Sequence, residues 1–185
     1  MADALTTTQF ILDALRPDQQ PEAWSLSVSE HGVDWDDLAV RAIVFGLAPQ
    51  LHWRLAGWQT AVPPRSAAKL LVTYRSQEQR SAAIYAQLDE VLAACEARGL
   101  QPIALKGVHL AACVYAAPAL RPMNDIDLLF TPDTIATAEA LLTDLGYGGK
   151  HKSADLGPGV TKHTSTYKRA DGPSAGTVNP YLSAG

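Results

Sequence analysis

A change of hydrophobic period at Gly99 limits this chain more than any other feature. Before it, from Pro63-Pro64 onward, Leu70, Leu71, Tyr74, Ile84, Leu88, Val91, Leu92 and Cys95 recur at threes and fours, the period of one helix face. Gly99 stands where a helix C′ residue with left-handed backbone belongs. A helix over about 65–98 is roughly 50 Å long at 1.5 Å per residue, so it must span a domain or break near Ser76-Gln77. Beyond Gly99, Pro102-Ile103-Ala104-Leu105 is a short apolar run of strand type. Helices first and short strands afterwards predict an α+β fold: an N-terminal helical region, residues 1–99, packed on a small mixed-sheet domain, residues 100–185. Its strands include 102–106 and 124–130.

Shorter helices fit the segments ahead of the long one. Leu5, Phe10, Ile11 and Leu15 share one side of a helix over 4–15 that Arg16-Pro17 ends. Asp34 caps a helix through about Leu47, with an acidic first turn and with Leu38, Ala42 and Phe45 on one face. Pro49 opens another, carrying Leu51, His52, Trp53 and Leu55. With no ligand or nucleophile near it in sequence, His52 reads as a half-buried packing histidine. The polar run from Arg75 to Arg80 reads as a solvated stretch.

After the strand, Lys106-Gly107 reads as a turn and 108–115 as a helix. A strand passing through glycine into a helix N-terminus leaves backbone N–H groups where a phosphate can sit, and Lys106 adds a full charge there. Glycine also makes such turns for steric reasons alone, so the signal draws its weight from the acidic strand downstream. The loop 118–122 delivers Arg121 four residues before Asp125. Arginine suits both a pairing with Asp125 and a reach to a phosphate or base. Alternation on the strand 124–130 then puts Asp125 and Asp127 on one face, roughly 6 to 7 Å apart at their Cα atoms, and Ile126, Leu128 and Phe130 on the other. Such a pair repels itself, and a cation between the carboxylates rationalises it. Mg²⁺ is the natural candidate, because it takes oxygen ligands and is commonly held by one or two carboxylates plus substrate phosphates.

Thr131-Pro132 reads as the N-cap and first residue of a helix with Ile135, Ala138, Leu142 and Leu145 as its buried stripe and Gly146 as its end. Asp133, Glu139 and Asp144 are ordinary surface charges of that helix. Past Tyr147, residues 148–152 and 156–159 read as turns and loops, and 163–168 alternates like a strand. A weak strand around Thr177-Val178 precedes an end rich in glycine, proline, serine and alanine.

With 47% hydrophobic and 18% charged residues over 185 positions, the chain can bury a real core. A formal net charge of −4 gives no electrostatic case for a nucleic-acid backbone as partner. Cys95 and Cys113 fall in apolar helical patterns without metal-ligand spacing, so buried free thiols are expected rather than a disulfide or a zinc site. No signal-peptide pattern opens the chain, and no run approaches the roughly 20 apolar residues that span a bilayer. The expected setting is a reducing cytoplasm without a membrane partner.

Leu105-Lys106-Gly107, a short helix ending near Tyr115, Arg121, Asp125-Ile126-Asp127-Leu128-Leu129 and a helix closing at Leu145-Gly146-Tyr147 together resemble the uncharacterised nucleotidyltransferase family of the polymerase-beta superfamily. The resemblance runs from about Asp34 to Tyr147. It implies transfer of a nucleoside monophosphate from a Mg²⁺-bound nucleoside triphosphate to an acceptor hydroxyl, whose identity the sequence does not reveal. Asp125 and Asp127 would be catalytic and hold the metal, while Lys106, Gly107 and Arg121 would hold the nucleotide. A second metal, roughly 3.5 to 4 Å from the first, would activate the acceptor, and a third carboxylate normally helps hold it.

Two departures stand out. The superfamily often has Gly-Ser where this chain has Gly107-Val108, and the third acid has no match. Asp155 and Asp171, the only acids after Tyr147, sit among turn residues, and Asn179 stands on the strand where the resemblance expects an acid. A fold truncated at its C-terminus would show the same deficit. Three accounts compete: a nucleotidyltransferase, a catalytically impaired nucleotide-binding or regulatory relative, and a glycosyltransferase that binds a nucleotide-sugar through Mn²⁺ or Mg²⁺. The last expects a long βαβ region before its DxD, where this chain has helical sequence, so the first leads. Lacking a third acid, the chain is expected to bind a metal-nucleotide more readily than it turns one over.

Overall fold

The structure is a computed structural model and describes residues 4–151, 165–169 and 177–182. Among these residues the chain forms seven α-helices and five strands, and no helix is long and apolar enough to cross a membrane. They divide into two compact units: residues up to Glu78 with Ala119–Arg121, and Gln79–Pro118 with the residues from Pro122 onward.

The first unit is helical, with α1 (Ala4–Leu15), α2 (Pro21–His31), α3 (Trp35–Val44), α4 (Ala48–Gly57) and the first part of α5 (Pro64–Ala97). α5 runs unbroken past Ser76-Gln77, and Gly99 takes the left-handed conformation, φ 71°, that its position demands. Asp34 caps α3 as its sequence implies, its Oδ1 accepting from the N–H groups of Asp36 and Asp37 at 2.8 and 3.2 Å. The core gathers Ile11, Leu38, Leu51 and Leu70 around Trp24. The Trp24 ring lies 6.0 Å from Trp35 and 5.7 Å from Trp58, and its indole N–H donates to the Phe10 carbonyl at 2.9 Å. His52 is half-buried, with its ring 5.1 Å from Tyr74, and burial lowers its pKa, helped by the charge of Arg75. It packs as the sequence implies.

Two expectations here are corrected, and one helix is added. Phe45 is exposed, because α3 ends at Val44 and the chain turns away at Gly46, φ 70°, so Ala39 joins Leu38 and Ala42 on the buried face. Leu71 is exposed too, since the buried stripe of α5 narrows to Leu70 and Tyr74 at that level. α2 has no counterpart in the sequence reading, because only Trp24 and Val28 of its residues are buried and so sparse a stripe gives little periodic signal.

The second unit holds one mixed sheet of β1 (Ile103–Leu105), β2 (Asp125–Phe130), β3 (Tyr147–His151), β4 (Ser165–Arg169) and β5 (Thr177–Leu182), in the order β1-β2-β5-β4-β3. β2 and β5 are parallel, and every other neighbouring pair is antiparallel. Ile126, Leu128 and Phe130 of β2 and Val178 of β5 are buried in a core with Ile84, Leu88 and Val91 of α5 and with Ala138, Leu141 and Leu142 of α7 (Ile135–Asp144). That is the face the alternation of β2 assigns to the interior.

Several boundaries differ from expectation. α6 (Lys106–Cys113) begins two residues early, because Lys106 itself takes the left-handed backbone that turns strand into helix. Its Cys113 is exposed, whereas Cys95 is buried as expected. α7 begins at Ile135 rather than just after Thr131: the Thr131 carbonyl accepts from the N–H groups of Thr134 and Ile135, closing a separate turn with Thr134 as N-cap. Residues 147–151 form a strand instead of a turn. Their glycines mark a close approach, since a Cβ on Gly149 would stand 2.9 Å from the Tyr167 ring on β4. The loop expected at 156–159, Asp155 and Asp171 lie outside the described residues.

Candidate functional site

The parallel register of β2 and β5 sets Asp125 opposite Thr177, Asp127 opposite Asn179 and Leu129 opposite Tyr181. Alternate residues of a strand share a face, so Thr177, Asn179 and Tyr181 line the same side of the sheet as the two aspartates. On the other flank of β2, Leu105 pairs with Asp127. The next residue, Lys106, therefore leaves β1 beside the acids.

The backbone at Lys106 helps to aim it. Its φ of 47° is left-handed, a conformation costing a side-chain-bearing residue on the order of 1 kcal/mol. From there its Nζ reaches Asp127 Oδ2 at 3.1 Å, donates to the Tyr181 hydroxyl and lies 4.3 Å from the centroid of the Tyr181 ring. Gly107 comes next and packs tightly, since a Cβ there would sit 3.2 Å from the Cβ of Met123. That approach is a sufficient steric reason for glycine.

The carboxylates meet at a single atom. Asn179 Nδ2 donates to Asp125 Oδ2 at 3.2 Å and to Asp127 Oδ1 at 3.0 Å. Asp127 and Asn179 are 4% and 6% exposed, so these are largely dry contacts, and hydrogen bonds to charged groups each contribute about 1.5–3 kcal/mol. Two like charges on one strand are thus held by one amide between them and one ammonium on the outer oxygen of Asp127. The hydrogen bond from Lys106 to Tyr181, reinforced by Asp127, raises the lysine pKa against the effect of desolvation. Burial raises that of Tyr181, the charge of Asp127 adding and the lysine opposing. At neutral pH the site holds an ammonium and a neutral phenol.

This donor set suits one hard cation. Two carboxylates on one face of a strand are the kind of oxygen donors that Mg²⁺ takes when waters and phosphates complete its shell. Among the described residues no group of three or more His, Cys, Asp or Glu side chains is arranged to hold a metal. The position next to Asp127 on β5, where the resemblance expects an acid, carries the Asn179 amide.

Lys106, Asp125 and Asp127, named from sequence, are brought together with Gly107 in the adjoining turn. Arg121 groups with the helical unit, in the bend after a short 3-10 turn at Pro118–Leu120. Tyr181 has no place in the sequence reading. The alternation Thr177, Asn179, Tyr181 against Val178, Pro180, Leu182 carries the signal, but Pro180 weakens it as a strand pattern.

The family described as uncharacterised nucleotidyltransferase matches residues 31–178 of the chain. No curated protein and no solved structure matches.

Proposed function

The chain belongs to the uncharacterised nucleotidyltransferase family, and from that membership we propose that it binds a nucleoside triphosphate with one Mg²⁺ held by Asp125 and Asp127 and transfers the nucleoside monophosphate to an acceptor hydroxyl. The observation that carries this reading is the pair of aspartates on one face of β2, close enough to share the Asn179 amide nitrogen and lying beside the Lys106 ammonium. In the transfer the acceptor oxygen bonds to the α-phosphorus, the bond from that phosphorus to the β-phosphate oxygen breaks, pyrophosphate leaves with the electron pair, and the hydroxyl proton passes to solvent. Bound Mg²⁺ supplies charge neutralisation at the phosphates. Lys106 adds a fixed positive charge, and the start of α6 offers N–H groups that lack helical partners. Arg121 enters the proposal through its place in the chain, four residues before Asp125.

Asn179 favours a second reading within the same fold, in which binding outlasts turnover. An amide neither accepts the acceptor proton nor carries the charge that holds a second metal. Loss of such a group commonly costs on the order of 10²-fold in rate while leaving phosphate positioning intact. Calorimetric titration of the wild type and of Asp125→Asn with Asp127→Asn, using each nucleoside triphosphate and UDP-sugars with and without Mg²⁺, tests the binding. Metal-dependent triphosphate binding that the double variant loses is expected. Equal affinity in all conditions would refute the metal site, and tighter metal-dependent binding of UDP-sugars would favour the glycosyltransferase account. Pyrophosphate release over a broad acceptor panel separates the active reading from the impaired one.

A further inference from the structure

Lys106 has a side chain more than half exposed, yet it is held on three sides. Such a lysine ordinarily samples many rotamers, and its ion pair with the buried Asp127 holds the ammonium on one side. The remaining restraint comes from Tyr181, which is 6% exposed and set two residues beyond Asn179 on β5. Its hydroxyl accepts from the lysine and its ring face lies 4.3 Å from the same ammonium. A buried ring on a central strand is a rigid platform, and attraction to its face strengthens where water is excluded.

We propose that Tyr181 is the positioning residue of this site: it holds the Lys106 ammonium at the edge of the Asp125–Asp127 pair, so that the charge stays aimed at the phosphates of a bound nucleotide. The proposal rests on the nucleotidyltransferase reading for the identity of the ligand, but the lysine–tyrosine pairing does not. Asp127 can then engage another cation through either oxygen without releasing the lysine, because Tyr181 retains it. From the end of β1 the lysine side chain reaches past Asp127 of β2 to Tyr181 of β5.

Two variants separate the contacts. Tyr181→Phe keeps the ring and removes the hydroxyl, whereas Tyr181→Leu removes both. The first readout needs no nucleotide: the order of the Lys106 side chain, followed by NMR relaxation at its ¹³Cε and assigned with Lys106→Arg. It is expected to exceed that of an exposed surface lysine in the wild type, to fall in Tyr181→Phe and to fall further in Tyr181→Leu, where the ion pair with Asp127 remains. The second is Mg²⁺-ATP affinity, expected to fall about threefold to tenfold in Tyr181→Phe and further in Tyr181→Leu, with KM rising before kcat falls. Near-UV circular dichroism checks that each variant is folded. Unchanged order of the Lys106 side chain in folded Tyr181→Leu would overturn the proposal, as would Mg²⁺-ATP affinity equal to wild type in both variants. Tyr181-dependent order of Lys106 in a protein that binds no triphosphate would instead refute the nucleotidyltransferase reading and uphold the pairing.

Discussion

Charge is answered largely within single turns in the helical unit, Asp36 with Arg65 and Lys69 excepted, and remotely in the sheet unit. In the first, Asp34 accepts from the N–H groups of its own helix, Asp37 pairs with Arg41 one turn on at 2.8 Å, and Arg75 pairs with Glu78 at 2.7 Å. In the second, Asp125 and Asp127 find their amide 54 and 52 residues away in the chain. The difference teaches which charges are incidental. A local pair forms as soon as its helix does and contributes little, whereas the aspartate pair persists only because three strands keep their register around it.

Packing should therefore dominate the helical unit, and the sharpest way to break the comparison is Trp24→Ala. Removing that ring from between Trp35 and Trp58 is expected to cost about 3–5 kcal/mol in chemical denaturation. A loss below about 1 kcal/mol would mean that the local charges hold the unit after all. In the sheet unit the corresponding change is Asn179→Asp, which turns the shared donor into a third negative group. Without metal the variant should lose about 1.5–3 kcal/mol, and Mg²⁺ should restore it, as thermal melts with and without the ion would show. No loss, or no recovery, would argue that the acids do not depend on that donor.

Smaller effects sharpen the contrast. Asp34→Ala deletes one cap and should cost about 1 kcal/mol, measured in urea. Extremes of pH should then act on different units. Arg41, hydrogen-bonded to Asp37, lowers that carboxyl's pKa, so its contribution is present above the unfolded value, about 3.9, and is lost as pH falls through the folded one. Lys106 is shifted the other way: its contribution is present below the unfolded value, about 10.4, and disappears as pH climbs through the folded one. Tyr181, raised mainly by burial, weakens the fold in the same alkaline direction once an unfolded tyrosine can ionise. Residue-resolved NMR should show acid perturbing the start of α3 first and alkali perturbing β5 first.

What was legible in the sequence was what local periodicity or local geometry dictates. Gly99 announces the end of α5 because a left-handed residue is needed there, and the alternation of Asp125 to Phe130 announces both the strand and the acidic pair. α2 was hidden because two buried side chains make too thin a stripe, and β3 because its glycines serve the Tyr167 ring rather than a turn. In the site, the lack of an acid at Asn179 could be read from a resemblance, but not that its amide would bridge both aspartates. Lys106 and Tyr181 lie 75 residues apart, and only the register of three strands makes them neighbours.

The parallel pairing of β2 with β5 also bears on when the site comes into being. Contacts between distant segments form late, because the intervening chain must lose its freedom before they repay it. β1, α6 and β2 are close in sequence and can associate early, leaving the two carboxylates side by side near the lysine. Arrival of β5 delivers amide and phenol together, and a register error of one residue would present Val178 and Pro180 instead. A ligand that touched residues of β5 as well as the aspartates would draw the strand into place by mass action. For such a ligand, occupancy of the site and completion of the sheet would be one equilibrium.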